Sequence, residues 1–127
     1  EFRISAEQGN AEAQYFLGGM YNEGHGVVQN DKEAMKWWRK AAEQGNASAQ
    51  SNLGTGYLDG RGVIEDYQEA AKWFRKAAEQ GNDGAQNNLG LMYDNGYGVP
   101  QDYVQAYAWY NLAAANGTGN GKKNKDN

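Results

Sequence analysis

Residues 49–63 read Ala49-Gln50-Ser51-Asn52-Leu53-Gly54-Thr55-Gly56-Tyr57-Leu58-Asp59-Gly60-Arg61-Gly62-Val63, and residues 70–81 continue the pattern with Ala70, Trp73, Ala77, Ala78 and Gly81. The same skeleton stands 36 residues earlier and 36 later: Ala13 and Ala85, Gln14 and Gln86, Leu17 and Leu89, Gly18 and Gly90, Tyr21 and Tyr93, Trp37 and Trp109. The glycine pairs Gly24/Gly26, Gly60/Gly62 and Gly96/Gly98 keep that step. No insertion breaks the register. A period of this size means stacked supersecondary units rather than one closed globule. It divides the 127-residue chain into units 10–45, 46–81 and 82–117, a partial unit 1–9 and a polar tail 118–127.

Each unit reads as two helices. In the first unit Asn10 is an N-cap. Ala13, Leu17 and Tyr21, with Phe16 and Met20 beside them, form an apolar face at helical spacing. Gly18 falls mid-helix, where glycine costs roughly 1 kcal/mol against alanine. Its recurrence as Gly54 and Gly90 points to close approach of the partner helix. Gly24, Gly26 and Val27 make the turn, with glycine available for positive φ, and Val27, Val63 and Val99 plug the end of each helix pair. Second helices begin at Asn30, Asp66 and Asp102, each followed three residues on by Glu33, Glu69 or Gln105, a capping-box pattern. Ala34, Trp37, Trp38, Ala41 and Ala42 form the buried side. Gly45, Gly81 and Gly117 are expected at C′. Two short helices cannot cover each other's apolar faces, so the units must stack.

Composition excludes several functions. A net charge of −4 is the wrong sign for non-specific nucleic-acid binding or docking on anionic lipid. The absence of cysteine removes disulfides, thiolate metal sites and cysteine nucleophiles, and leaves cytosol and periplasm both open. No apolar run approaches the ~20 residues of a membrane span. The chain begins Glu1-Phe2, without methionine, and reads as a fragment or processed product.

The pattern A-Q-x-x-L-G-x-x-Y-x-x-G-x-G-V, then A-x-x-W-x-x-x-A-A-x-x-G, resembles the Sel1-like repeat family, relatives of the tetratricopeptide repeats. The resemblance covers residues 1–117. The segment Ala106 to Ala115 looks like the last full repeat of many bacterial members, and Ala6-Glu7-Gln8-Gly9-Asn10 copies Ala42-Glu43-Gln44-Gly45-Asn46. The resemblance implies an all-α, right-handed solenoid of antiparallel helix pairs, and a non-catalytic adaptor or scaffold role with a protein or peptide partner. A cysteine-rich branch of the family is linked to β-lactam binding; this chain lacks those cysteines. A structural spacer within a larger regulator is the third reading.

In solenoids of the tetratricopeptide type the first helices line a concave groove. By register the groove positions here are Glu12, Tyr15, Gly19, Asn22 and Glu23 in unit one. They are Ser48, Ser51, Thr55, Leu58 and Asp59 in unit two, and Gly84, Asn87, Leu91, Asp94 and Asn95 in unit three. These vary between units while the packing positions do not, as a partner-binding surface would. The set contains no lysine or arginine, so a clamp for a peptide's terminal carboxylate is not expected; a basic or hydrogen-bonding peptide is.

The remaining features have structural readings. Lys36, Arg39, Lys40, Lys72, Arg75 and Lys76 sit late in second helices, where they complement the dipole as Asp31, Glu33, Glu65 and Glu69 do near helix starts. His25, the only histidine, is expected to face solvent in a turn. Asp94 to Gly98 lacks the later acidic ligands of a calcium loop. No catalytic set, cofactor site or metal site can be assembled. Tyr15, Tyr67, Tyr103 and Tyr107 are less clearly core, and exposed aromatics often anchor partners. The tail after Gly117 is a poor helix former, so unit three is expected to leave part of Tyr110 and Ala113 uncovered, an end that either continues in a longer array or pairs with a second copy.

Overall fold

The computed structural model describes residues 2–117, with seven helices among them: α1 (Phe2–Glu7), α2 (Ala11–Glu23), α3 (Asp31–Glu43), α4 (Ala47–Asp59), α5 (Tyr67–Glu79), α6 (Asp83–Asn95) and α7 (Tyr103–Gly117). The tail 118–127 lies outside the described residues. Helices pack with their chain neighbours, α2 on α3, α4 on α5 and α6 on α7. The contacts of α3 with α4 and α5 with α6 join one pair to the next. This is an all-α solenoid of stacked helix pairs.

Local chemistry sets the helix ends. Asn10, Asn46 and Asn82 each accept the backbone N–H three residues on at 2.8 Å, which satisfies one orphan donor of the first turn. Gly24, Gly60 and Gly96 close α2, α4 and α6 in the left-handed region. Asn30, Asp66 and Asp102 cap the second helices, each at 3.1 Å. The reciprocal arm of the capping box does not form. The N–H of Asn30 goes to the Tyr21 carbonyl at 2.8 Å, and Asp66 and Asp102 bond Tyr57 and Tyr93 alike. That frees Glu33 and Glu69 to pair with Lys36 and Lys72. Gly45 and Gly81 are C′ residues with φ of +98° and +94°. Gly117 is instead the last residue of α7 and lacks positive φ.

The mid-helix glycines face aromatic rings. A Cβ on Gly18 would lie 2.5 Å from Trp38, on Gly54 2.8 Å from Phe74, and on Gly90 2.7 Å from Tyr110. Each glycine lets an aromatic of the second helix lie flat on the first. Ala34, Trp37, Trp38, Ala41 and Ala42 are buried as expected. Val63 and Val99 pack against the core clusters. Phe16 departs from expectation: it is 44% exposed, because its position, shared with Asn52 and Asn88, faces the groove side rather than the core.

Adjacent units are stitched by a buried amide. Gln14, Gln50 and Gln86 donate to the carbonyls of Ala6, Ala42 and Ala78 in the preceding helix at 3.0–3.1 Å. They accept from Gln44, Gln80 and Asn116 at 2.8 Å. Ala6 on α1 thus plays the part of Ala42, and the partial unit covers α2. Gln50→Met keeps the volume and removes both bonds, each contributing about 1 kcal/mol. We expect a loss of about 2 kcal/mol in urea unfolding; a change below 0.5 kcal/mol, roughly a neutral surface substitution, would contradict the stitch.

At the other end α7 carries no charged side chain from Tyr103 to Gly117. Ala113 is buried and Tyr110 half-buried, so the expected exposure of Ala113 does not occur. The uncovered large apolar residues of α7 are Tyr103, Val104, Tyr107 and Leu112, 59%, 81%, 60% and 45% exposed. Tyr107 occupies the position of the buried Met35 and Ala71, which the next unit covers.

Candidate functional site

The junction of units one and two holds two adjoining cavities, of about 430 and 120 Å³. Trp38, Asn22 and Asn52 wall both. Three helices build this floor. Gly18 on α2 admits the Trp38 indole from α3, whose N–H donates to the Tyr15 carbonyl at 3.1 Å. Gly56 on α4 lies under Met35, where a Cβ would stand 2.3 Å from the sulfur. Asn52 points from the neighbouring turn of α4.

Of the groove residues expected from sequence, Tyr15, Gly19, Asn22 and Glu23 line the larger cavity, and Asn22 and Thr55 the smaller. The structure does not bring the others to either cavity. Glu12 is exposed and accepts from Asn46 at 3.3 Å. Ser48 and Ser51 are half-buried, and the Ser51 carbonyl accepts from the Thr55 hydroxyl at 3.1 Å. Leu58 packs against the unit-two core; Asp59, Gly84, Asn87 and Leu91 are exposed. Asn95 bonds back to the Leu91 carbonyl at 2.9 Å. Asp94 accepts from the Tyr110 hydroxyl at 3.3 Å. Burial, then this carboxylate, raises the Tyr110 phenol above its ordinary pKa.

A cation borders the smaller cavity. Arg61 reaches back from the turn of unit two, within 3.2 Å of the Asn22 side-chain oxygen and 3.5 Å of Asp31. Gln29 donates to the same Asp31 oxygen at 2.7 Å. The expected groove positions themselves contain no lysine or arginine; Arg61 comes from a turn outside them. His25 is exposed, beside Glu23 at 3.4 Å, and borders the larger cavity.

Sequence reasoning also missed Asn52. Its position varies between units (Phe16, Asn52, Asn88), the same signal that selected the other groove residues. Asn52 is half-buried, and its carboxamide makes no hydrogen bond among the described residues. No three potential metal ligands gather among those residues, and no helix is long and apolar enough to cross a membrane.

Comparison with known proteins places this architecture. The Sel1 repeat model matches residues 11–46, 47–82 and 84–118. The chain belongs to the Sel1 repeat family. A crystal structure of a protective antigen of uropathogenic Escherichia coli, displaying an SLR fold, is 49% identical. It matches over 91% of this chain and 25% of its own, with a TM-score of 0.89. A Sel1 repeat protein from Oxalobacter formigenes is 45% identical over 86% of this chain and 44% of its own, with a TM-score of 0.82. The Helicobacter pylori cysteine rich protein B shares the fold at 23% identity, covering 91% of this chain and 88% of its own, with a TM-score of 0.72. No curated protein matches. The chain thus spans a quarter of the first relative's length and under half of the second's. Sel1 repeat proteins are typically non-catalytic scaffolds that bind other proteins.

Proposed function

We propose that this Sel1 array is a non-catalytic adaptor module that holds an extended segment of a partner protein on its concave face, centred on the junction of units one and two. The observation that carries this reading is Asn52: a half-buried carboxamide with no intramolecular partner, between two cavities and beside Trp38. A carboxamide donates and accepts at once, which matches a peptide group. Tyr15 and Trp38 supply the apolar area around it. Glu23 on the rim favours a basic segment over an acidic one.

The β-lactam reading gains no support, because the cysteine-rich neighbour shares fold alone and this chain has no cysteine. Fluorescence anisotropy with matched basic and acidic peptide libraries tests the proposal. We expect the basic library to bind and Asn52→Ala to weaken it about ten-fold, the loss of one well-made hydrogen-bonding group. Preference for the acidic library, or indifference to Asn52→Ala, would overturn it.

A further inference from the structure

The junction of units two and three is the 36-residue image of the cleft just described, with different chemistry. Among the lining positions of the smaller cavity only Asn52 is repeated, as Asn88. Asn22 becomes Leu58 and Thr55 becomes Leu91. The Asp31–Arg61 ion pair becomes Tyr67 and Tyr97, whose rings stack with centroids 4.8 Å apart at 28°. The whole pair is exchanged, so the tether between a turn and the preceding helix start persists while its polarity inverts. The floor is exchanged as a pair too: Met35 over Gly56 becomes Ala71 beside Met92, which is fully buried.

Leu91 and Tyr97 remain 38% exposed, and Tyr67 36%. A single exposed apolar side chain needs no explanation. Several at one junction, at positions that are polar in the junction beside it, form a patch that marks an interaction site. A carboxylate flanks it. Asp59 follows Leu58 at the end of α4, is exposed, and stands where Glu23 borders the first junction. It is paired with no cation among the described residues, whereas the lysines of α3 and α5 lie over Trp37 and Trp73.

We propose that this junction is a subsite for an aliphatic or aromatic side chain of the partner segment, with a lysine or arginine next to it drawn to Asp59. The occupant is an extended basic–apolar stretch of a partner protein. Its direction is fixed because the polar junction of units one and two and the apolar junction of units two and three follow one another along the array. The inference rests on the adaptor reading above.

The test is selection of a phage-displayed random dodecapeptide library on the full chain, followed by anisotropy with the enriched peptides. Wild type is compared with Leu58→Asn/Leu91→Thr and with Asn52→Ala. The double variant installs the side chains of the first junction, which the same backbone already carries; if its melting shows it unfolded, Leu91→Thr alone decides. We expect enriched peptides to share an apolar residue beside a basic one, and the double variant to raise Kd about ten-fold. Peptides without a common apolar residue, or an unchanged Kd in the double variant, overturn the subsite. If Asn52→Ala still weakens binding, the adaptor reading survives that failure. If neither variant weakens binding, or no peptide is enriched, both readings fall.

Discussion

Trp73→Ala is expected to destabilise the chain by about 3–5 kcal/mol, more than the same change at Trp109. Trp73 belongs to α5, yet its ring sits in the core formed by Ala34, Met35, Trp38 and Leu53 of the preceding helices. It is 5% exposed, donates its indole N–H to Glu69 at 3.2 Å, and has Lys72 and Lys76 over its face at 5.1 and 5.7 Å. Truncation leaves a void between units that rigid helices cannot close. In a solenoid each unit is held only by its neighbours, so the damage falls on the coupling between units one and two. Trp109 holds the same position in the last unit but is half-buried, and should cost roughly half as much, in proportion to area. Urea unfolding followed by far-ultraviolet circular dichroism measures both. A lower m-value for Trp73→Ala would report uncoupled ends. Equal losses for the two variants would refute the keystone role.

What could be read from sequence is what depends on neighbours along the chain. Asn10, Asn46 and Asn82 cap helices because a side-chain oxygen reaches a backbone N–H three residues on. Gly18, Gly54 and Gly90 announce a close approach because nothing else justifies glycine in mid-helix. The failures all involve reach between units or between helices of a pair. The capping-box arm of Glu33 is displaced because the Tyr21 carbonyl, nine residues back, takes the Asn30 N–H. Arg61 borders the smaller cavity by stretching over the preceding unit. Helical spacing places Phe16 on the apolar face, yet Asn52 and Asn88 at the same register position signal a wet one. Ala113 is buried against expectation because burial at the end of an array depends on which face a neighbour covers. The groove residues remain a proposal: variation between units finds surfaces free of packing constraint, and it selected exposed Asn87 as readily as cleft-lining Asn22.

Gly98→Ala should destabilise by about 3 kcal/mol or more, although Gly26→Ala at the equivalent turn should cost only about 1 kcal/mol, the strain of a left-handed alanine. The backbones match, with φ of +72° and +78°, so conformation alone predicts equal effects. Surroundings separate them. A Cβ on Gly98 would stand 2.3 Å from the Tyr67 carbonyl oxygen, and on Gly62 2.4 Å from that of Asp31, whereas on Gly26 the nearest atom is the flexible Met20 methyl at 3.3 Å. Among the described residues no helix start lies against the Gly26 turn, whereas those of α3 and α5 lie against Gly62 and Gly98. Alanine at position 98 must lift the turn of unit three off the start of α5, and the Tyr67–Tyr97 stack opens with it. Thermal unfolding should fall by on the order of 10 °C for Gly98→Ala and by a few degrees for Gly26→Ala. Equal shifts would mean that the turn glycines serve only their own φ, and that the contact of each turn with the preceding helix start contributes little to stacking. A large difference would make the second glycine a spacer between units. The period-36 motif would then carry inter-unit contact in its turn as well as in its helices.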